Sequence, residues 1–182
     1  GKHFSSGADL SSSPNNDASR LKKRRDARAG EEAILALFNM DQITIASWNG
    51  AAMGGGACIA TACDFRVGSP TSFMQYPEID IGVNLMWKSL PLLINLIGPS
   101  RSKRMVIGGD RIEGKELHAW GILDKLVSEQ ELNEETTSLA QKYARKAPIA
   151  AQMIKQSTNN IVNALSNEIM HMDFDQNLFT AQ

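Results

Sequence analysis

The chain has 182 residues, enough for one domain with a helical appendage. With 42% hydrophobic residues, 21% charged residues and a net charge of −1, its composition excludes the disordered and fibrous classes. It gives no whole-protein attraction for nucleic acid or for an anionic membrane. No apolar run reaches the roughly 18 residues of a transmembrane helix, and Lys2 and His3 are not followed by the apolar stretch of a signal peptide. Cys58 and Cys63 share one apolar run, which predicts reduced core residues of an intracellular, cytoplasmic protein, with an organellar matrix as the alternative.

The chain opens on His3-Phe4-Ser5-Ser6-Gly7-Ala8-Asp9-Leu10 as though inside a fold, so a preceding N-terminal segment is expected. Residues 11–30, rich in Ser, Asn, Asp, Lys and Arg, read as a polar loop or mobile connector. Ala33, Ile34, Leu37 and Phe38 then carry helical spacing, and Ile43 to Trp48 reads as a strand broken by Asn49-Gly50. Gly54-Gly55-Gly56 open an Ala-rich apolar helix that ends at Asp64. Phe65–Gly68 and Thr71–Met74 follow as short strands, and Tyr76-Pro77-Glu78-Ile79 as a Pro-stiffened turn. Leu85 to Ile97 is an apolar helix stopped by Gly98-Pro99; Ser100 caps the next, ended by Gly108-Gly109. A helix over Glu113–Trp120 has Gly121 in the capping place, and Ile122 to Val127 is extended. From about Glu131 the pattern is helical, with Pro148 separating two helices, the second carrying Ile154, Ile161, Leu165, Ile169, Met172 and Leu178. Short strands alternating with helices predict an α/β domain over 1–130, followed by a helical region over 131–182. The apolar positions of that tail exceed what one short helix hides, so a homo-oligomer is expected.

Two features carry chemistry. A glycine run at a helix start leaves bare N–H groups at a positive helix end, suited to an anion or a developing oxyanion; taken alone, close helix–strand packing is the simpler explanation. Glu78, after Pro77 and among apolar residues, is either a carboxyl of raised pKa that can move protons or a surface turn residue. Cys58 at the helix start reads as a nucleophile or, more simply, a small core residue. Lys22-Lys23-Arg24-Arg25 reads as a solvated face or a phosphate clamp, and His3, His118 and His171 are too scattered to suggest a metal site.

In register across nearly the whole chain, these pieces resemble the crotonase superfamily (enoyl-CoA hydratase/isomerase family). The matching segments are Phe4–Leu10, Asn49–Asp64, Phe73–Gly82, Gly108–Ile112 and Ala119–Val127. The resemblance implies a crotonase-like ββα spiral with a helical C-terminal trimerisation region, the first strands being absent from this chain. It implies an acyl-CoA thioester substrate, coenzyme A entering as part of that substrate with no permanently bound cofactor, and self-association as a homotrimer or dimer of trimers, with no nucleic-acid or membrane partner. By the same resemblance the backbone N–H groups of Ala8 and Gly55 hold the thioester oxygen and Glu78 is the acid/base, while Cys58, Tyr76, Met86 and Trp87 line the substrate pocket.

The sequence departs from the family twice. Cys58 occupies the place of a first glutamate, and the bulky Leu85-Met86-Trp87-Lys88-Ser89 replaces a small, Gly-rich loop. One carboxylate suits double-bond isomerisation better than water addition. Enoyl-CoA hydration, thioester hydrolysis, decarboxylation and catalytically silent acyl-CoA binding stand as alternatives.

Overall fold

The computed structural model describes residues 1–9, 19–164, 170 and 172–180. Leu10, residues 11–18 of the expected connector, Leu165, Ile169 and His171 lie outside them.

The first helix, α1 (Arg20–Phe38), takes up the rest of the expected connector. Ser19 caps it by accepting the Lys22 N–H at 3.3 Å. Its Lys, Arg, Ala and Glu residues are good helix formers, but Ile34 is its one fully buried residue. A run so polar reads as a loop because the apolar signal starts only at Ala33.

β1 (Ile45–Trp48) follows, then β2 (Ala51–Met53), a strand that the sequence pattern does not single out. α2 (Gly55–Ala62) begins after it, then β3 (Phe65–Gly68), β4 (Phe73–Gln75) and a single 3-10 turn, Pro77–Ile81. α3 (Ser89–Gly108) is broken at Gly98, whose φ of 75° and ψ of 169° are not helical. The stop thus falls where Gly98-Pro99 predicts it, although Ser100 sits inside the new helix, and the helix starts at Ser89 rather than Leu85. β5 (Ile112–Glu113), α4 (Gly114–Ala119) and β6 (Lys125–Leu126) complete the α/β part. α5 (Leu132–Ala144), α6 (Pro148–Asn163) and α7 (Asp173–Thr180) close the chain.

The strands form two three-stranded sheets, β1-β3-β6 and β2-β4-β5; all pairings are parallel except β4 with β5. Consecutive strands β1 and β2 enter different sheets because the chain corners at Asn49-Gly50, where Gly50 has a φ of 58°. Trp48, fully buried, pins the corner: its indole N–H donates to Gly50 O at 3.0 Å, and Ser72 Oγ donates to Trp48 O at 2.6 Å. The core between sheets and helices holds Trp48, Met74, Leu93, Met105, Ile112, Leu117 and Ile122.

Buried charge joins the layers. Arg66, 3% exposed, donates to Ile122 O at 2.6 Å and to Cys63 O at 2.6 Å, a cation at the C-terminal end of α2. On α6 the one buried residue is Lys155, whose Nζ donates to Asp64 Oδ2 at 2.7 Å and Gln42 O at 2.8 Å. Removing one partner of such a pair strands the other. Lys155→Met is expected to destabilise the fold by about 3 kcal/mol, read as a fall in denaturation midpoint at unchanged slope.

Candidate active site

The site forms where three residues without side chains meet three other segments. β2 runs into Gly54, whose φ of 50° and ψ of −120° lie in a region that only glycine occupies without strain. The Gly54 N–H donates to Gln75 O at 3.0 Å, which fixes the turn to the end of β4. α2 then starts at Gly55, so its first-turn amides carry the positive end of the helix. A Cβ on Gly54 would stand 3.1 Å from Glu78 Oε1, one on Gly55 2.4 Å from Trp87 Cζ3, and one on Gly56 2.5 Å from Ser5 O. Each approach depends on a missing side chain.

The segment before Ala8 is strapped to β2. The Phe4 N–H donates to Asn49 O at 2.7 Å, the Ser5 N–H to Ala51 O at 2.9 Å, and the Met53 N–H to Ser5 O at 3.0 Å. Gly7, with φ 91°, turns the chain beside the helix start; its Cβ position lies 3.5 Å from Gly55 N. The backbone at Gly7-Ala8 is therefore brought alongside Gly55, with Ala8 exposed.

Glu78 lies in the 3-10 turn after Pro77, half-buried, with Oε2 shielded from solvent and lacking a hydrogen-bond partner. Burial raises its carboxyl above the usual glutamate range, a backbone hydrogen bond opposing. Cys58 is 2% exposed, and burial pushes its thiol up to about 12, with Ser89 opposing and Glu78 adding to the rise. At neutral pH such a thiol is protonated, so the nucleophile reading of Cys58 gives way to that of a small buried residue. Tyr76 is fully buried with its hydroxyl unpartnered; the Thr61 hydroxyl beside it donates instead to Ala57 O and Cys58 O.

Met86 and Trp87 are half-buried. Trp87 and Lys88 have φ values of 67° and 52°, left-handed conformations that cost a side-chain-bearing residue about 1–2 kcal/mol each. The Trp87 indole is wedged between α1 and α2, and a Cβ on Gly30 would fall 1.9 Å from its Cε2. Gly30, Glu31 and Asp173 join the site without a sequence motif to mark them, and Lys88, part of the bulky segment, holds them together. The Lys88 N–H donates to Asp173 Oδ2 at 2.6 Å, and its Nζ pairs with Glu31 Oε1 at 3.2 Å. Asp173 is 1% exposed with Oδ1 unpartnered, and burial raises its carboxyl, the Lys88 amide opposing. Only Gly30 left a signal: a glycine among helix formers costs about 1 kcal/mol against Ala and marks a close approach. Of the basic run, Arg24 is spent on α7, with its Nε 2.8 Å from Asp175 Oδ1.

A family model described as enoyl-CoA hydratase/isomerase matches residues 1–182. The crotonyl-CoA hydratase of Syntrophomonas wolfei is 29% identical over 175 residues, covering 96% of this chain and 64% of that protein. The carnitinyl-CoA dehydratase of Salmonella typhi is 32% identical over 155 residues, covering 85% and 58%. The chain thus spans about three fifths of the length of these curated relatives. A solved structure of Pseudomonas aeruginosa DspI superposes with a TM-score of 0.83 at 31% identity, covering 100% of this chain and 69% of that one. An enoyl-CoA hydratase/isomerase from Xanthobacter autotrophicus Py2 gives 0.90 at 22% identity, covering 99% and 67%, a likeness of fold.

The indole wedge makes the effect of one substitution depend on another. Gly30→Ala is expected to destabilise the protein by about 1–3 kcal/mol while Trp87 is present. In a Trp87→Ala background the same change is expected to stabilise it by up to about 1 kcal/mol. Chemical denaturation of the four proteins of this cycle measures the reversal of sign.

Proposed function

The chain belongs to the enoyl-CoA hydratase/isomerase family, within the crotonase superfamily, and on that premise we propose that it shifts a double bond in an enoyl-CoA thioester. The observation that carries this reading is the Glu78 carboxyl, unpartnered at Oε2 and lying against the glycine turn that opens α2, with a neutral thiol at Cys58. Glu78 takes a proton from the carbon next to the thioester carbonyl. The electron pair spreads over the adjacent double bond onto the thioester oxygen, which the Ala8 and Gly55 N–H groups hold. The same carboxyl returns the proton at the far end of the allyl unit, and no water is consumed. Donors set in advance for an oxygen that gains charge stabilise the transition state by about 3 kcal/mol each. Tyr76, Met86 and Trp87 bound the acyl pocket, with Cys58 beneath it. Coenzyme A enters with the substrate, and no permanently bound cofactor takes part. Both cysteines are free, which fits a reducing, cytoplasmic compartment.

Water addition is the second reading, supported by the names hydratase and dehydratase among the relatives. It requires a further group to hold the water, since Cys58 stands where a carboxylate would. Proton exchange and double-bond migration on 3-enoyl- and 2-enoyl-CoA thioesters, with hydration followed in the same samples, separate the two. Migration alone supports the isomerase; efficient hydration replaces it.

Glu78→Gln is expected to lower turnover by about 10²–10⁴-fold. A base with a raised pKa works only when ionised, so wild-type activity should fall on the acid side at an inflection above the ordinary glutamate value of 4.5. In that window the folded state binds more protons than the unfolded chain, so stability declines as pH rises through it. Glu78→Gln should therefore be more stable than wild type at neutral pH, read by thermal melts across pH. A variant that keeps full activity would remove Glu78 from the mechanism.

We further propose that residues 131–182 serve self-association, as a homotrimer or a dimer of trimers. Ile149, Met153, Ile154 and Ile161 form an exposed apolar stripe on α6, with Ile161 76% exposed. Sedimentation is expected to show an oligomer, and a double change, Ile154→Glu with Ile161→Glu, is expected to shift it to monomer.

A further inference from the structure

We infer that Asp173 is a positioning residue of this site: through the Lys88 amide, α7 latches the turn that keeps the Trp87 indole on Gly55, and a thioester reaches the Gly55 amide only when that indole swings away.

Three independent observations meet here. Trp87 and Lys88 are consecutive residues with side chains in the left-handed region, a state that persists only where the surroundings hold it. The polar contacts on this segment come largely from α7. At one end the Asn84 N–H donates to Thr180 Oγ1 at 2.9 Å, Asn84 Nδ2 donates to Gln176 Oε1 at 3.2 Å, and Asn177 Nδ2 donates to Asn84 O. At the other, Asp173 Oδ2 accepts the Lys88 N–H at 2.6 Å. The third observation concerns orphaned polar atoms. Trp87 Nε1, Asp173 Oδ1 and Glu31 Oε2 are shielded from solvent and without hydrogen-bond partners. A donor left unsatisfied in the closed position lowers the barrier to leaving it. The turn is thus held by the Asp173 bond to the Lys88 amide and by the Lys88–Glu31 ion pair, against backbone strain and an unsatisfied indole, which brings two arrangements close in free energy.

The indole position also explains Gly30 and Gly55 together, since a side chain on either would collide with the ring. The ring rests on the residue whose amide is assigned to the thioester oxygen. The consequence for chemistry depends on the reading of Gly55 given above; the latch itself does not.

The two parts separate in one set of measurements on the full chain, in a Trp120→Phe background where the other remaining indole, Trp48, is fully buried. Without ligand, Asp173→Ala is expected to raise acrylamide quenching of Trp87, the released population growing by about tenfold or more. Asp173→Asn, which keeps an oxygen for the Lys88 N–H, should restore most of the protection. Unchanged quenching in Asp173→Ala overturns the latch. With crotonyl-CoA as the probe and free CoA as control, binding of the thioester should expose or displace Trp87 in wild type. Trp87→Ala, with α7 untouched, should associate with crotonyl-CoA about tenfold faster. An association rate equal to wild type overturns the gating. If no variant, wild type included, binds crotonyl-CoA, the acyl-CoA reading falls and the gating with it, while the quenching result still decides the latch.

Discussion

Gly54, Gly55 and Gly56 have no side chains, and three separate stretches of chain close onto them. Glu78 takes the space at the first, Trp87 at the second and the Ser5 carbonyl at the third. Any side chain at Gly55 or Gly56 would push a wall of the site outward, and at Gly54 the backbone conformation itself demands glycine. The positive end of α2, the carboxyl and the Gly7-Ala8 backbone are neighbours because this one stretch occupies so little volume. Most of the site's geometry follows from it, including the burial that lifts the Glu78 carboxyl.

How far the sequence discloses this arrangement depends on the range of the interactions involved. Asn49-Gly50, the glycine run and Pro77-Glu78 act within a few residues of themselves, and they are legible. Ala51–Met53 lacks a β-branched residue, so no strand is legible there; pairing with β4 and the bridge from Ser5 to Ala52 make it one. The first half of α1 hides for a related reason, since helix formers without an apolar face give no period to detect. Asp173 and Glu31 are ordinary acids in the sequence. Their burial against Lys88 arises only when the C-terminal helix folds back, and no local pattern announces a contact of that span.

Beyond α5, the helical tail is tied down largely by specific polar contacts. α6 buries Lys155 and leaves its isoleucines facing outward, while α7 adds Phe174 to the Asp173 and Asn177 contacts. Buried polar ties of this kind cost more when broken than an equal area of apolar contact, and they admit one register only. The tail can therefore present an apolar surface without losing its place on the core.

The split of β1 and β2 between two sheets bears on how the chain reaches this state. Ile45 pairs with Phe65, Ala51 with Phe73, and Val67 with Lys125. No two paired strands among the described residues are joined by a hairpin; each pairing spans a helix. Loop entropy is then lost before any ladder forms to offset it, and parallel pairing of this kind is slow. During synthesis β1 and β2 emerge with their edges open and stay so until later strands leave the ribosome. Prolonged exposure of unpaired strand edges is the cost of that topology, borne chiefly by the strands that build the glycine corner.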